Sequence, residues 1–350
     1  MCSKCDRRRF LRATAGLLGA GGAVLLGGCP ENQSAPPITT PTDPTTSTGE
    51  VPVTTASGGD GKVGINKIIG HPLDGIEAVI AQNNSREELV KAAVDAYGGM
   101  GAFVSSGDTV VIKPNLGWAK TPEQGVDTHP EVVAAVVRLC KDAGAKKVII
   151  GEHSCDAWEV VKLLSGVPEA AEAAGATVTS WEDARLYEEV AFTAGTSTTS
   201  DMVALDVLEC DVLINCPKFK HHSATEVCGA MKNQMGLILR PQTYHQNEDK
   251  FAKDPNLHVN IADLSSAVIP TLTVMDITNS CITGGPKGGV DSVIKDFETV
   301  IVSSDMVACD SLSTDVLGIC TVDQVPHIGI AADRGLGNIL TAADERVKTV

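Results

Sequence analysis

Between positions 218 and 222 the chain carries Lys218, Lys220, His221 and His222, two ammonium groups and two imidazoles within five residues. They sit in "CPKFKHHSATEVCGAMKNQMG", after an apolar run and ahead of a second polar pair, Lys232 and Asn233. Ammonium groups bind carboxylate or phosphate, and an imidazole can give or take a proton near neutral pH. Elsewhere "VVIKPNLGW" supplies Lys113 and Asn115, and "GEHSC" supplies His153 and Cys155. The expected chemistry is therefore capture of a small anion by Lys113, Asn115, Lys218, Lys220, Lys232 and Asn233. His221 or His222 would act as acid or base. A metal is the rival reading, because His153, Cys155, His221 and His222 are acceptable ligands for a first-row metal if their loops meet. No zinc-ribbon or ferredoxin cysteine spacing accompanies them, so no particular cofactor is implied.

Positioning these residues requires a scaffold. β-branched runs at 63–69, 76–81, 109–113, 147–151, 211–216, 271–276 and 299–303 read as strands. Helical patterns lie between them at 85–97, 130–143, 224–237, 258–268, 305–317 and 325–333. Continuously apolar strands separated by helices predict a doubly wound α/β fold, with a mostly parallel sheet covered on both faces. In such folds ligands lie beyond the carboxyl ends of the strands. Lys113–Asn115, Glu152–Cys155, Pro217–His222, Thr278 with Asn279, and Ser304 with Asp305 are expected at that edge. Thr128 with Glu131, and Ser223 with Glu226, fit capping boxes. The second predicts a helix whose free N–H groups would face the same ligand.

The chain has 350 residues, 43% hydrophobic, with 28 Lys+Arg against 44 Asp+Glu and a formal charge of −16. That length and apolar content support one large domain over 63–350. The acidic balance argues against a nucleic-acid binder, which needs a basic footprint. Residues 1–28 read as an export signal: Arg7-Arg8-Arg9-Phe10-Leu11 resembles the twin-arginine signal, and Leu26-Gly27-Gly28-Cys29 resembles a lipobox with Cys29 as the lipidated residue. Its loss removes Lys4, Arg7, Arg8, Arg9 and Arg12 with one acid, Asp6, so the body becomes more acidic still. Residues 29–62, rich in Pro, Thr and Ser, read as a tether. The implied partners are the twin-arginine export machinery, a membrane reached through the N-terminal lipid, and a small anionic ligand. The implied location is periplasmic or cell-surface. Cys2 and Cys5 would leave with the signal, whereas Cys140 and Cys228 fall at helical spacing with apolar residues and read as core. GxSxG, HExxH and GxxxxGK[ST] motifs are absent.

The stretches "VVIKPNLGW", "THPEVVAAVVRLCKDAGAKKVIIGE", "DVLINCPKFKHH", "CGAMKNQMGLI" and "SDMVACDSLSTDVLGI" resemble the family known as domain of unknown function 362, over roughly 63–337. The resemblance implies an α/β fold and leaves the activity open. Many relatives carry an appended ferredoxin-like cysteine run that this chain lacks, which weakens an electron-transfer role. The architecture is also similar to that of the lactate racemase group, which acts on a 2-hydroxy acid with histidines and a nickel cofactor. That similarity is at fold level and carries no residue over. Three functions stay open at this point: an enzyme acting on a small anion, a metal- or iron–sulfur-dependent redox protein, and a non-catalytic ligand-binding lipoprotein.

Overall fold

Runs such as Val110–Ile112 and Val148–Ile150 are β-branched throughout, and such residues pack best on a pleated sheet. The computed structural model describes residues 75–245 and 255–350. The expected signal at 1–28 with Cys29, the tether at 29–62 and the strand at 63–69 lie outside the described residues.

In chain order the elements begin with β1 (Ala78–Gln82), α1 (Arg86–Ala96), β2 (Thr109–Pro114), α2 (Pro130–Asp142) and β3 (Lys147–Glu152). Next come α3 (Trp158–Ser165), α4 (Val167–Ala173), β4 (Thr177–Ser180), β5 (Tyr187–Ala191), β6 (Ser200–Ala204) and α5 (Leu205–Glu209). The middle of the chain forms β7 (Val212–Cys216), β8 (Lys220–His222), β9 (Glu226–Cys228), α6 (Ala230–Asn233) and α7 (Pro255–Ala267). The last part forms β10 (Leu272–Asp276), β11 (Asn279–Cys281), β12 (Ile294–Asp296), β13 (Thr299–Ser303), α8 (Met306–Leu317), α9 (Pro326–Asp333) and β14 (Val347–Thr349).

Eight strands build one sheet in the order β14-β1-β13-β10-β7-β2-β3-β4. Within it β13 alone runs against its neighbours, antiparallel to both β1 and β10. The other pairings are parallel. Alternate residues of each strand feed two cores. Val110, Ile112, Val148, Ile150, Val212 and Ile214 pack with α1, α2 and α4 on one face. Val111, Ile149, Leu213, Met275 and Ile301 pack with α7, α8 and α9 on the other. Burial on both faces is why these strands read as unbroken apolar runs. From β2 the chain moves outward through β3 to β4, then returns to β7 on the other side of β2. The carboxyl ends of β2 and β7 therefore flank a topological switch point, where open α/β sheets form a crevice.

Three sequence expectations change. Because β13 is antiparallel, Ser304 and Asp305 lie at the opposite edge from the other clusters, and the Asp305 carboxylate caps α8 through Val307 N and Ala308 N. Helix α2 is capped by His129 rather than Thr128, whose hydroxyl instead donates to the Cys216 carbonyl. The helix expected over 224–237 is a hairpin of β8 and β9 followed by the short α6 and a 3-10 turn. Thr225 and Val227 are buried, the Thr225 hydroxyl donates to the Val227 carbonyl, and Val227 N donates to the Thr225 carbonyl across Glu226, whose φ of 61° interrupts a helix.

Candidate functional site

Strands β2 and β3 pair in parallel, so Lys113 and Glu152 at their ends reach the same edge. Lys113 Nζ lies 2.7 Å from Glu152 Oε2 and donates to the Asn233 backbone oxygen at 2.6 Å and to its Oδ1 at 2.9 Å. Glu152 also accepts from Leu116 N at 3.1 Å and His153 N at 3.0 Å. Both side chains are only 3% exposed, so the pair is a fully bonded buried ion pair. Gly236 passes close over it: a Cβ there would fall 1.8 Å from Glu152 Oε1, so only glycine fits.

Lys220 extends from β8 with none of its surface exposed, donating to the Val126 carbonyl and to Asn115 Oδ1 at 3.4 Å. Asn115 is itself fixed, its backbone N bonded to the Thr128 hydroxyl at 2.8 Å. Lys232, on α6, has its Nζ 3.3 Å from His245 Nε2. The His245 ring stacks on His222, with centroids 5.9 Å apart and 10° between planes. His222 Nδ1 accepts from Ala224 N at 3.1 Å, which assigns the ring proton of the neutral imidazole to Nε2. Burial, with the Lys232 charge beside it, holds His222 well below the ordinary histidine value. His153 Nδ1 is 3.0 Å from the Tyr187 hydroxyl, whose own proton goes to the Trp181 carbonyl at 2.6 Å. Nδ1 is therefore the donor in that bond, leaving a lone pair on His153 Nε2.

These groups line one cavity of about 630 Å³. Eight of the expected residues meet there: Lys113, Asn115, His153, Cys155, Lys220, His222, Lys232 and Asn233. Glu152 joins them from the strand end expected at this edge, and Trp118 and His245 join without having been singled out in the sequence. The only sequence signal for Glu152 is an acid ending a strand whose neighbour ends in lysine.

Two expected residues are elsewhere. Lys218 Nζ is 3.0 Å from Asp276 Oδ2, and both side chains have no exposed surface. Asp276 further accepts from His129 N at 2.8 Å, Thr278 N at 2.9 Å and the Thr278 hydroxyl at 2.7 Å. Lys218 is thus a structural counter-ion, not a ligand group. His221 does not line the cavity, and its Nδ1 accepts from Gly285 N at 3.0 Å. The four metal-ligand candidates are therefore not brought together, although His153, Cys155 and His222 line the same cavity. Among the described residues no three His, Cys, Asp or Glu side chains gather as a metal-binding group.

The helix start expected to receive an anion is also closed. Helix α6 begins at Ala230, and Ala230 N and Met231 N donate to the Asp310 carboxylate at 2.5 Å and 3.1 Å. Burial pushes Asp310 up to about 7.

Charge in the cavity is unbalanced. Lys113 has Glu152, but among the described residues neither Lys220 nor Lys232 has a carboxylate within ion-pair distance. Burial lowers Lys232 from its ordinary value, with Lys220 and Lys113 contributing and the Cys228 and Cys155 thiols opposing. Asp127, one residue beyond the carbonyl that Lys220 grips, is pushed up to about 7 by burial despite the Lys220 charge. Such an excess of buried positive charge is costly unless an anion completes it.

A thylakoid-associated protein of Synechocystis sp. is 26% identical to the chain over 257 residues, 73% of this chain and 76% of that one. Among solved structures, the lactate racemase apoprotein of Thermoanaerobacterium thermosaccharolyticum overlaps 65% of the chain at 14% identity with a TM-score of 0.39. A protein of Thermotoga maritima overlaps 75% at 11% identity, also with a TM-score of 0.39. The chain spans 56% and 60% of the lengths of these two structures. The family model described as domain of unknown function DUF362 matches residues 110–315, from the second residue of β2 into α8. With β2, β7 and every cavity lysine inside that match, the chain belongs to the DUF362 family.

Proposed function

We propose that the cavity at the β2–β7 switch point binds a small carboxylate or phosphate, and that its imidazoles move a proton on the bound molecule. The observation that carries this reading is the pair of buried ammonium groups, Lys220 and Lys232, that lack carboxylate partners among the described residues. An entering anion would supply the missing charge, and charge-assisted hydrogen bonds in a sheltered site are the strong ones. His222 Nε2–H can donate and His153 Nε2 can accept, so an acid and a base line the same cavity.

The pH dependence follows from Lys232. Its value is lowered in the free protein, and a bound anion favours the charged form, so binding takes up a proton at any pH where the free amine is partly neutral. The groups facing it are Lys113, Lys220, Cys155, Cys228, His222, His245 and, from α9, His327. Asp127 acts in the same sense, since its ionisation near 7 adds negative charge beside Lys220 as pH rises. Affinity for acetate, whose own charge is constant between pH 6 and pH 10, should be highest at the acid end of the lysine transition. It should then fall by up to about tenfold per pH unit above it. Affinity that rises with pH would refute the reading.

The proposal includes export by the twin-arginine route and lipid anchoring through Cys29, supported by the Arg7-Arg8-Arg9 block and the Leu26–Cys29 motif. Among the described residues no helix is long and apolar enough to cross a membrane. The full chain expressed with a radiolabelled fatty acid should incorporate label and sediment with membranes, and Cys29→Ser should lose both properties. Label that survives the substitution would rule out Cys29 as the anchor.

A further inference from the structure

The three cavity amines are not equivalent. Lys113 is committed to Glu152 and Asn233, and Lys220 to the Val126 carbonyl and Asn115. Lys232 Nζ has one hydrogen-bonding contact among the described residues, the imidazole of His245 at 3.3 Å. It is 8% exposed, and its side chain faces the cavity rather than a carboxylate. A lysine amine is a nucleophile only when neutral, and burial beside other cationic groups is the established way to make it so. Burial and the nearby Lys220 and Lys113 charges act on Lys232 in that sense, against the two thiols. The same cavity offers a cation for a carboxylate, Lys220, and an imidazole in contact with the amine itself, His245.

Resting on the anion-binding reading above, we propose that Lys232 forms an imine with a small 2-oxo acid whose carboxylate is held by Lys220. A 2-oxo acid carries its anionic group one bond from an electrophilic carbon, which suits a cavity where amine and cations line one small volume. In the step, the neutral Lys232 nitrogen lone pair bonds to the carbonyl carbon, and the carbonyl π pair moves to oxygen. The His245 imidazole takes a proton from the resulting ammonium and passes it to that oxygen, which gives the neutral carbinolamine. The carbinolamine hydroxyl leaves as water with one further proton from solvent, and the nitrogen lone pair closes the C=N bond. Amine, carbonyl and one solvent proton are converted to a protonated imine and one water, with no oxidant or reductant consumed. His222, stacked on His245, holds that ring in place.

The test traps the imine in the full-length protein with sodium cyanoborohydride and pyruvate, followed by peptide mass mapping. The Lys232 peptide should gain the mass of pyruvic acid less one oxygen. Labelling should saturate with pyruvate and be suppressed by propionate, an anion of similar size without the carbonyl. Lys232→Gln should lose this label, and the wild-type map alone identifies the site should that variant fail to fold. Thermal protection by both pyruvate and propionate without label on Lys232 would overturn the imine while leaving anion binding intact. Label spread evenly over surface lysines would overturn it equally. If neither anion protects and no label forms, both readings fall.

Discussion

Lys218→Met is expected to destabilise the protein by about 3–5 kcal/mol, because it strands a buried carboxylate. Asp276 and Lys218 have no exposed surface, and Met matches the lysine stem while removing the cation 3.0 Å from Asp276 Oδ2. The neighbouring donors, His129 N and Thr278, cannot neutralise the charge. A loss of this size is a large part of the roughly 5–15 kcal/mol that holds a typical domain folded. Burial alone would raise the Asp276 carboxyl, but Lys218 and the bonded donors hold it below the usual range. In the wild type the pair's contribution is therefore present above the unfolded carboxyl value and lost as pH falls through the lower folded one. In the variant Asp276 would protonate more readily, so the stability gap should close on acidification. Chemical denaturation at neutral and acid pH measures both. An unchanged denaturation midpoint at neutral pH would show that the ion pair is not structural.

The same substitution two residues along should do the opposite. Lys220→Met is expected to weaken anion binding by roughly a hundredfold, the scale for losing one partner of a buried charge pair. It should shift stability by no more than about 2 kcal/mol. Two effects offset in the free protein: the Val126 carbonyl and Asn115 Oδ1 lose a donor, costing about 1–3 kcal/mol, while an ammonium without a carboxylate partner is removed. Lys218 would thus control folding and Lys220 binding. Calorimetric titration with phosphate, run beside a melting curve for each variant, separates the two roles. Loss of folding in Lys220→Met with binding retained per folded molecule would reverse the assignment.

Nothing local in "CPKFKHH" distinguishes these lysines. The partner of Lys218 is 58 residues away in the chain, at the end of β10, and only the pairing of β7 with β10 brings it close. The apolar strands were legible because burial on both faces leaves a continuous signal, and so was the edge to which their carboxyl ends point. The direction of β13 was not, since an antiparallel strand has the same composition as a parallel one. Short or partly exposed strands, β4 and β14 among them, carry too few buried positions to register. Ala224, Cys228, Met231 and Met235 fall at helical spacing, yet Thr225 and Val227 are buried too, so the segment satisfied two patterns at once. His245 belongs to no strand end, and it reaches Lys232 only because the turn at Pro241–His245 folds back over the cavity.

The central claim is that the cavity is built for an anion, with Lys220 and Lys232 left for it to neutralise. Isothermal titration of propionate into the wild type and Lys220→Met, in two buffers of different ionisation enthalpy, tests it most directly. One saturable site in the wild type, proton uptake on binding, and loss of that site in Lys220→Met are the expected results. Absence of binding to the wild type, or binding of equal strength to the folded variant, would contradict the claim.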